Sequence, residues 1–191
     1  MTQRVFVDAN ILYSKTLMDW LFLLRRDNPS MFQIHSTEDV FAEVVSNMRK
    51  KCPTAPGHTT ARRAQLIREN MDEVLRDFPA GLSFTGRDPE DYHVHAGAVH
   101  GAADVVLTCN KAEDFSTNPD AEPYDILHPD DFFVLVADSN PACLVPIVEE
   151  QVKYWAAKAS HIQLDQALVA AGCPRFAARV RKALAHIAQL P

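Results

Sequence analysis

The sequence predicts an α/β protein, with three α/β/α layers around a mainly parallel central sheet and a C-terminal helical appendage. Two short runs, residues 5–7 and 104–108, are apolar and β-branched, as is typical of buried parallel strands. Helical patterns separate the candidate strands, and this alternation indicates a parallel sheet. After Asn140-Pro141 only helical patterns follow. We therefore expect a three-layer α/β/α domain over residues 1–138 and a helical extension over residues 139–191.

In the first half of the chain, apolar residues at three- and four-residue steps predict a helix over residues 10–26. A short strand is expected over residues 31–35. Ser36 or Thr37 would cap the next helix, because hydroxyl side chains accept hydrogen bonds from a helix N-terminus. A further apolar stripe predicts one helix over residues 60–78.

In the second half, Asp88-Pro89 has the form of a cap followed by proline at the first helical position. The helix that it opens is expected to end at Gly101. Small residues in this helix, Ala96 to Ala98, would allow it to pack closely against a sheet. The remaining expected elements are a strand over 104–108, a short strand over 124–127, a helix from His128-Pro129, and three C-terminal helices.

Composition narrows the class of protein. Of the 191 residues, 47% are hydrophobic and 23% are charged, as in ordinary globular domains. No apolar run approaches the roughly 18 residues of a membrane span, and we expect no signal peptide before the first strand. The four cysteines form no Cys-x-x-Cys pair, which favours free thiols over a zinc site. We expect a cytoplasmic protein that makes no membrane contact.

Four acids are expected at the carboxyl edge of the sheet, where open α/β sheets bind ligands. Asp8 ends the first strand, and Glu43 lies on the helix after the second. Asp91 lies in the first turn of a helix, and Asp114 follows the strand over 104–108. Acids that converge without lysine partners need a cation, and Mg²⁺ and Mn²⁺ prefer carboxylate oxygens. The sequence therefore predicts a site for one or two such metals.

Each acid taken alone also has a structural explanation. Asp8 would serve as a helix cap, and Asp91 would favour a helix N-terminus. Glu43 is of the kind that usually lies solvated on a helix, and Asp114 would cap a turn. Asp104 opens a strand, and we interpret it as structural. The joint placement of the other four acids at one sheet edge favours a shared site.

Four stretches occur in an order and spacing that match a known family: residues 5–10, residues 36–44, residues 88–94, and residues 103–110 with Asp114-Phe115. In these stretches the sequence resembles the PIN-domain ribonucleases, and more closely the VapC-type toxins of bacterial toxin–antitoxin pairs. The resemblance spans roughly residues 3–136. The helical tail is similar to the C-terminal segment of a longer subgroup of these toxins.

The resemblance implies roles for particular residues. The acids in the positions of the family's catalytic and metal-binding quartet are Asp8, Glu43, Asp91 and Asp114. The residues in supporting positions are Asn10, Thr108, Asn110 and His93. The resemblance leaves open whether Asp114 or Asn110 completes the set of metal ligands. The family implies Mg²⁺- or Mn²⁺-dependent cleavage of RNA phosphodiester bonds, inhibition by a cognate antitoxin protein, and self-association, here as a homodimer.

A stretch without acids flanks the helix that carries Glu43. Its basic residues are Arg49, Lys50, Lys51, Arg62 and Arg63. An acidic metal pocket needs a basic margin to attract RNA phosphates, so these residues are candidate RNA contacts. The alternative is a solvated charged face. The net charge of −6 gives no overall basic signature, but local patches matter more than the sum.

Two other functions are open. The first is a phosphatase of the haloacid dehalogenase type with Asp8 as its nucleophile, although such enzymes need an acid at the position of Asn10. The second is a non-catalytic module that binds RNA or protein on the same fold.

Overall fold

The structure is a computed structural model that describes residues 2–157 and 163–189. Its strands are β1 (Gln3–Val7), β2 (Phe32–Thr37), β3 (Glu73–Leu75), β4 (Val105–Leu107) and β5 (Asp125–Leu127). Its α-helices are α1 (Ala9–Tyr13), α2 (Lys15–Asp27), α3 (Glu38–Lys51), α4 (Gly57–Glu69), α5 (Tyr92–His100), α6 (Ala112–Phe115), α7 (Pro129–Ser139), α8 (Leu144–Ala157), α9 (Leu164–Ala170) and α10 (Pro174–Ile187). Short 3₁₀ turns lie at Pro89–Asp91, Pro119–Ala121 and Pro141–Cys143.

The five strands form one sheet in the order β3-β2-β1-β4-β5, and every neighbouring pair is parallel. Helices flank this sheet, so the predicted three-layer α/β/α fold class is confirmed. The central strand β1 pairs with β2 and β4, and its Val5 lies opposite both Ile34 and Val105. Val5, Phe6 and Val7 are wholly buried, as the apolar run at the start of the chain predicts.

Helix α5 approaches the sheet closely because its middle residue has no side chain. A Cβ atom on Gly97 would lie 2.8 Å from the Phe6 ring and 2.9 Å from the Thr37 methyl group. Real Cβ atoms do not approach other atoms so closely, since interiors are already densely packed. The expected close packing of this helix is therefore confirmed, and it fixes the position of Asp91 at the preceding 3₁₀ turn.

The chain forms two compact units that do not follow its linear order. The first comprises the described residues of Met1–Tyr13 and Ser30–His128, and the second those of Ser14–Pro29 and Pro129–Pro191. The second unit therefore contains α2 and α7 as well as the C-terminal helices. The division into domains at residue 138 stays a prediction, and residues 158–162 and 190–191 of the expected extension lie outside the described residues.

In the second unit, α10 packs against helices α7, α8 and α9. Phe176 is wholly buried, with its ring 5.1 Å from Trp20 and 5.3 Å from Phe133. The buried Asp130 carboxylate accepts hydrogen bonds from the backbone N–H groups of Arg175 and Phe176, at 3.1 and 2.8 Å. It therefore satisfies donors that a helix N-terminus leaves unpaired.

Two expected helices are wrong in part. The helix predicted over residues 10–26 is two helices, because Ser14 leaves the helical conformation and its Oγ accepts from the backbone N–H of Leu17, at 3.4 Å. The helix predicted over residues 60–78 ends at Glu69. The chain then forms β3, whose residues pair with β2 at the sheet edge, so tertiary pairing overrides the helical pattern there.

Among the described residues, no single helix has the length and apolar character needed to cross a membrane. One pair, Pro129–Ser139 with Pro141–Ala157, meets that test jointly but is bent by 99°. The four cysteines are free, two exposed and two buried, as expected.

Candidate active site

The strand order places a crevice between β1 and β4, where the sheet's connections change direction. In open parallel sheets, ligands bind outside the carboxyl ends of the strands at such a point. Asp8 follows β1 directly, and Thr108 follows β4 directly. The backbone N–H of Asp8 donates to the Leu107 carbonyl at 3.1 Å, so the two strand ends are fixed side by side.

Asp8 is a buried carboxylate, 3% exposed, with a full set of donors around it. Its Oδ1 accepts from the backbone N–H of Ala9 at 2.5 Å. Its Oδ2 accepts from the Thr108 hydroxyl and from the Asn10 amide, each at 2.6 Å. Burial raises the pKa of Asp8, and the bonds from Thr108 and Ala9 oppose this, whereas the charge of Glu43 adds to it. The carboxylate is thus held rigidly in one orientation.

The predicted supporting residues form one hydrogen-bonded network. Thr108 Oγ1 accepts from Asn10 Nδ2 and from the backbone N–H of Asn110, each at 3.0 Å. Asn10 Nδ2 also lies 3.2 Å from Asn110 Oδ1, and Asn10 Oδ1 accepts from the backbone N–H of Cys109 at 3.0 Å. The structure therefore brings together three of the four residues that the resemblance places in supporting positions, and the fourth, His93, lies beside Glu43.

Asp91 joins this network through Asn110. Asn110 Nδ2 donates to both Asp91 oxygens, at 3.1 and 2.9 Å, and the Asp91 residue is 7% exposed. Burial raises the pKa of Asp91 to about 7, against the opposing Asn110 bond, and the charges of Asp8, Asp88 and Asp114 add to the rise. A carboxylate so strongly perturbed by burial and by like charges is typical of functional sites.

Glu43 and His93 form a second pair of groups at the site. The Glu43 side chain on α3 is 42% exposed, and its Oε2 lies 3.4 Å from His93 Nε2. His93 Nδ1 is 2.7 Å from the Glu90 carbonyl oxygen, so Nδ1 carries a proton. The Glu43 carboxylate raises the pKa of His93, and burial opposes this. The Nε2 atom is buried and makes no hydrogen bond.

Asp114 has a structural contact in addition to its predicted role. Its Oδ2 accepts from the backbone N–H of Lys111 at 3.0 Å, at the start of α6. The Asp114 charge is nevertheless among the causes that raise the Asp91 pKa. The same holds for Asp88, whose carboxylate accepts from the backbone N–H of Glu90 at 2.9 Å. The sequence predicts Asp88 as a helix cap, which this bond confirms, but not as a charge that acts on Asp91, although its place three residues before Asp91 is the signal for that role.

Within residues 2–157 and 163–189, no group of three or more His, Cys, Asp or Glu side chains is arranged to hold a metal ion as it stands. The donor set nevertheless suits a hard divalent cation, because Asp8 and Asp91 are buried carboxylates and the charge of Asp8 adds to the raised pKa of Asp91. His93 Nε2 lies 3.4 Å from Glu43 Oε2 without a hydrogen bond. Asp8, Asp91, Glu43 and Asp114 are therefore the residues that would hold the cation.

The five predicted RNA contacts differ in exposure. Lys50, Lys51 and Arg62 are exposed. Arg49 is half-buried and donates to the Ala55 carbonyl at 2.5 Å, whereas Arg63 donates to the carbonyls of Leu12 and Tyr13 at 3.0 and 3.1 Å. These last two arginines therefore have structural contacts, and the exposed three are better placed for phosphates.

Arg63 caps the C-terminal end of α1, the helix that begins directly after Asp8. We expect Arg63→Gln to lower the free energy of unfolding by about 1–3 kcal/mol, because it removes charge-assisted bonds to the Leu12 and Tyr13 carbonyls. The neighbouring Arg62→Gln is the matched control and should change it by less than about 0.5 kcal/mol. Urea unfolding of both variants measures the difference, and equal effects would contradict the capping role.

A cavity of about 580 Å³ lies at the other edge of the sheet, lined by residues that include Arg4, Asp104 and Asp125. These residues are at the amino ends of the strands, away from the crevice that binds ligands in such sheets. Asp104 accepts from the backbone N–H of Arg4 at 2.7 Å, which agrees with its structural interpretation.

In comparison with known proteins, the chain matches no protein-family model and no curated protein.

Proposed function

We propose that the chain is a Mg²⁺- or Mn²⁺-dependent endoribonuclease that cleaves RNA phosphodiester bonds. The observation that carries the proposal is the network at the ends of β1 and β4. It joins two buried carboxylates, Asp8 and Asp91, through Thr108 and two asparagines at the ligand-binding edge of the sheet. Two carboxylates in such surroundings gain most from a cation that neutralises them.

In this proposal Asp8 and Asp91 hold the cation, and Glu43 and Asp114 complete the set of acids. A bound divalent cation would lower the pKa of a water molecule and stabilise negative charge on the phosphate. Thr108 and Asn10 keep the Asp8 carboxylate in one orientation, which lowers the entropic cost of positioning this group for the reaction. Glu43, partly exposed beside His93, is placed to orient the attacking water and accept its proton.

The resemblance to VapC-type toxins supports a more specific biological role. We infer that the chain is the toxin of a type II toxin–antitoxin pair, acts in the cytoplasm, and is inhibited by a cognate antitoxin protein. A homodimer is the assembly proposed on the same ground.

Incubation with total RNA, with Mn²⁺ and with a chelator, tests the enzymatic function. The proposal expects cleavage with the metal, none with the chelator, and cut ends that map to defined sites. Release of phosphate from small esters would instead support the phosphatase. Binding of RNA without any cleavage would support the non-catalytic module.

Exposed basic residues should supply the RNA affinity. We expect the triple substitution of Lys50, Lys51 and Arg62 by Gln to weaken RNA binding and to flatten its dependence on salt, by about 0.7 in logarithmic slope for each lost phosphate contact to a single strand. Binding is measured by fluorescence anisotropy at several salt concentrations, with Asp8→Asn as the background so that RNA stays intact. An unchanged slope would contradict the assignment.

A further inference from the structure

The Asn110 side chain lies between the two buried carboxylates of the proposed site. Its Nδ2 donates to both oxygens of Asp91, and its Oδ1 lies 3.2 Å from Asn10 Nδ2, which in turn donates to Asp8 at 2.6 Å. A carboxylate only accepts hydrogen bonds, so the orientation of both amides is fixed by their acidic neighbours. The chain of hydrogen bonds from Asp8 to Asp91 therefore passes through the side-chain amides of Asn10 and Asn110.

These amides partly compensate the negative charge of the two carboxylates, as a bound cation would. Each presents a partial positive charge to a buried carboxylate, and hydrogen bonds to charged groups are among the stronger ones in proteins. Asn110 Nδ2 reaches both oxygens of Asp91, at 3.1 and 2.9 Å. Asn110 thus stabilises the ionised Asp91 in the metal-free protein.

A cation that binds Asp91 must take an oxygen that already accepts a hydrogen bond from Asn110 Nδ2, because this amide donates to both of them. The Asp91 residue is 7% exposed, which leaves little room around these oxygens for a second partner. The Asn110 amide and the cation therefore compete for Asp91 oxygen lone pairs.

We propose that Asn110 is a gate for the cation: its amide occupies the Asp91 carboxylate in the metal-free protein, and Mg²⁺ binds both acids only after this contact opens. This inference rests on the proposed metal-dependent function and adds a determinant of its metal affinity. Asn110 is in this view a positioning residue that acts through Asp91, and it does not ligate the metal.

The Mg²⁺ affinity of an Asn110 variant distinguishes two roles for this residue: it either competes with the cation for Asp91 or helps Asp91 to bind the cation. Removing the amide by Asn110→Ala should tighten Mg²⁺ binding about tenfold, because the cation no longer displaces a charge-assisted hydrogen bond. If Asn110 were a ligand, or served only to orient Asp91 for the metal, the same variant would bind Mg²⁺ more weakly. The exposed Asn118→Ala, on the loop after α6, is the matched control and should bind as the unmodified chain does.

Binding is measured by the rise of the unfolding midpoint with Mg²⁺ concentration, at about pH 8.5 for every variant. Tighter binding by Asn110→Ala supports the gate, and equal or weaker binding overturns it while the metal-dependent function stands. Absence of Mg²⁺ binding in both the unmodified chain and Asn110→Ala overturns both.

A second measurement uses the unmodified chain, and a variant is needed only to assign the signal of the Asn110 side chain. In ¹H–¹⁵N spectra of the full chain, the Asn110 side-chain amide signal should shift as Mg²⁺ is added, because its acceptor changes. The control signal is the Asn118 side chain, which should stay in place. An Asn110 signal that does not move at saturating Mg²⁺ overturns the gate, even if Asn110→Ala fails to fold.

Discussion

Asp8→Asn is expected to reduce metal-dependent RNA cleavage by at least about a hundredfold. The substitution removes the charge of a buried carboxylate that would hold the cation, and metal stabilisation of developing charge supplies several kcal/mol. It also places an amide N–H₂ against the Asn10 amide, which now donates to Asp8. Cleavage is measured with a labelled RNA and Mn²⁺, and the unfolding midpoint shows whether the variant remains folded.

The matched control for this variant is Asp104→Asn. Asp104 lies at the amino end of the neighbouring strand β4 and accepts from the backbone N–H of Arg4. The same change of an acid to its amide at the opposite sheet edge should leave cleavage within about twofold, because Asn keeps an oxygen that can accept from the Arg4 N–H and the residue lies apart from the candidate acids. Retained cleavage by a folded Asp8→Asn variant, or its equal loss in Asp104→Asn, would refute the proposed site.

Asp91→Asn should stabilise the metal-free protein at neutral and alkaline pH. The folded-state pKa of Asp91 is raised from 3.8 to about 7, mainly by burial. Protonated Asp91 therefore contributes stability that is present below about pH 4 and is lost as the pH rises through about 7. The side chain at position 91 does not titrate in the Asn variant. The free energy of unfolding of this variant should therefore equal that of the unmodified chain near pH 4 and exceed it by at most about 4 kcal/mol at pH 8.

Chemical unfolding in a chelator at a series of pH values measures this difference. The control is Asp88→Asn, which keeps a good capping side chain at an exposed position. It removes only a lesser cause of the raised Asp91 pKa, so its difference in stability from the unmodified chain should change with pH much less than that of Asp91→Asn. With added Mg²⁺ the unmodified chain should become more stable than Asp91→Asn, because a ligand stabilises only the protein that binds it. A stability gain that is equal at pH 4 and pH 8 would contradict the raised pKa.

The part of the site that the sequence predicts follows from topology. Because carboxyl ends of parallel strands meet at one edge, Asp8 and Thr108 had to lie near each other once β1 and β4 were recognised as strands. The apolar, β-branched composition of both runs carries that information. The same reasoning places Asp91, since Asp88-Pro89 marks the start of the helix that leads into β4.

Other features depend on contacts that no local pattern encodes. Arg62 and Arg63 are identical neighbours, and only the fold of α4 against α1 turns one towards carbonyl groups and leaves the other exposed. Strand β3 has an apolar pattern that also fits a helix, and its pairing with β2 decides its conformation. The contact of Asn110 with Asp91 requires the 3₁₀ turn at Pro89–Asp91, which the helical pattern of the sequence did not predict.

Anomalous X-ray diffraction from crystals that contain Mn²⁺ tests whether these acids share an ion. We expect a Mn²⁺ peak within about 2–2.5 Å of carboxylate oxygens from both Asp8 and Asp91. A Mn²⁺ peak elsewhere in the molecule, or one that contacts neither or only one of these two carboxylates, would contradict it.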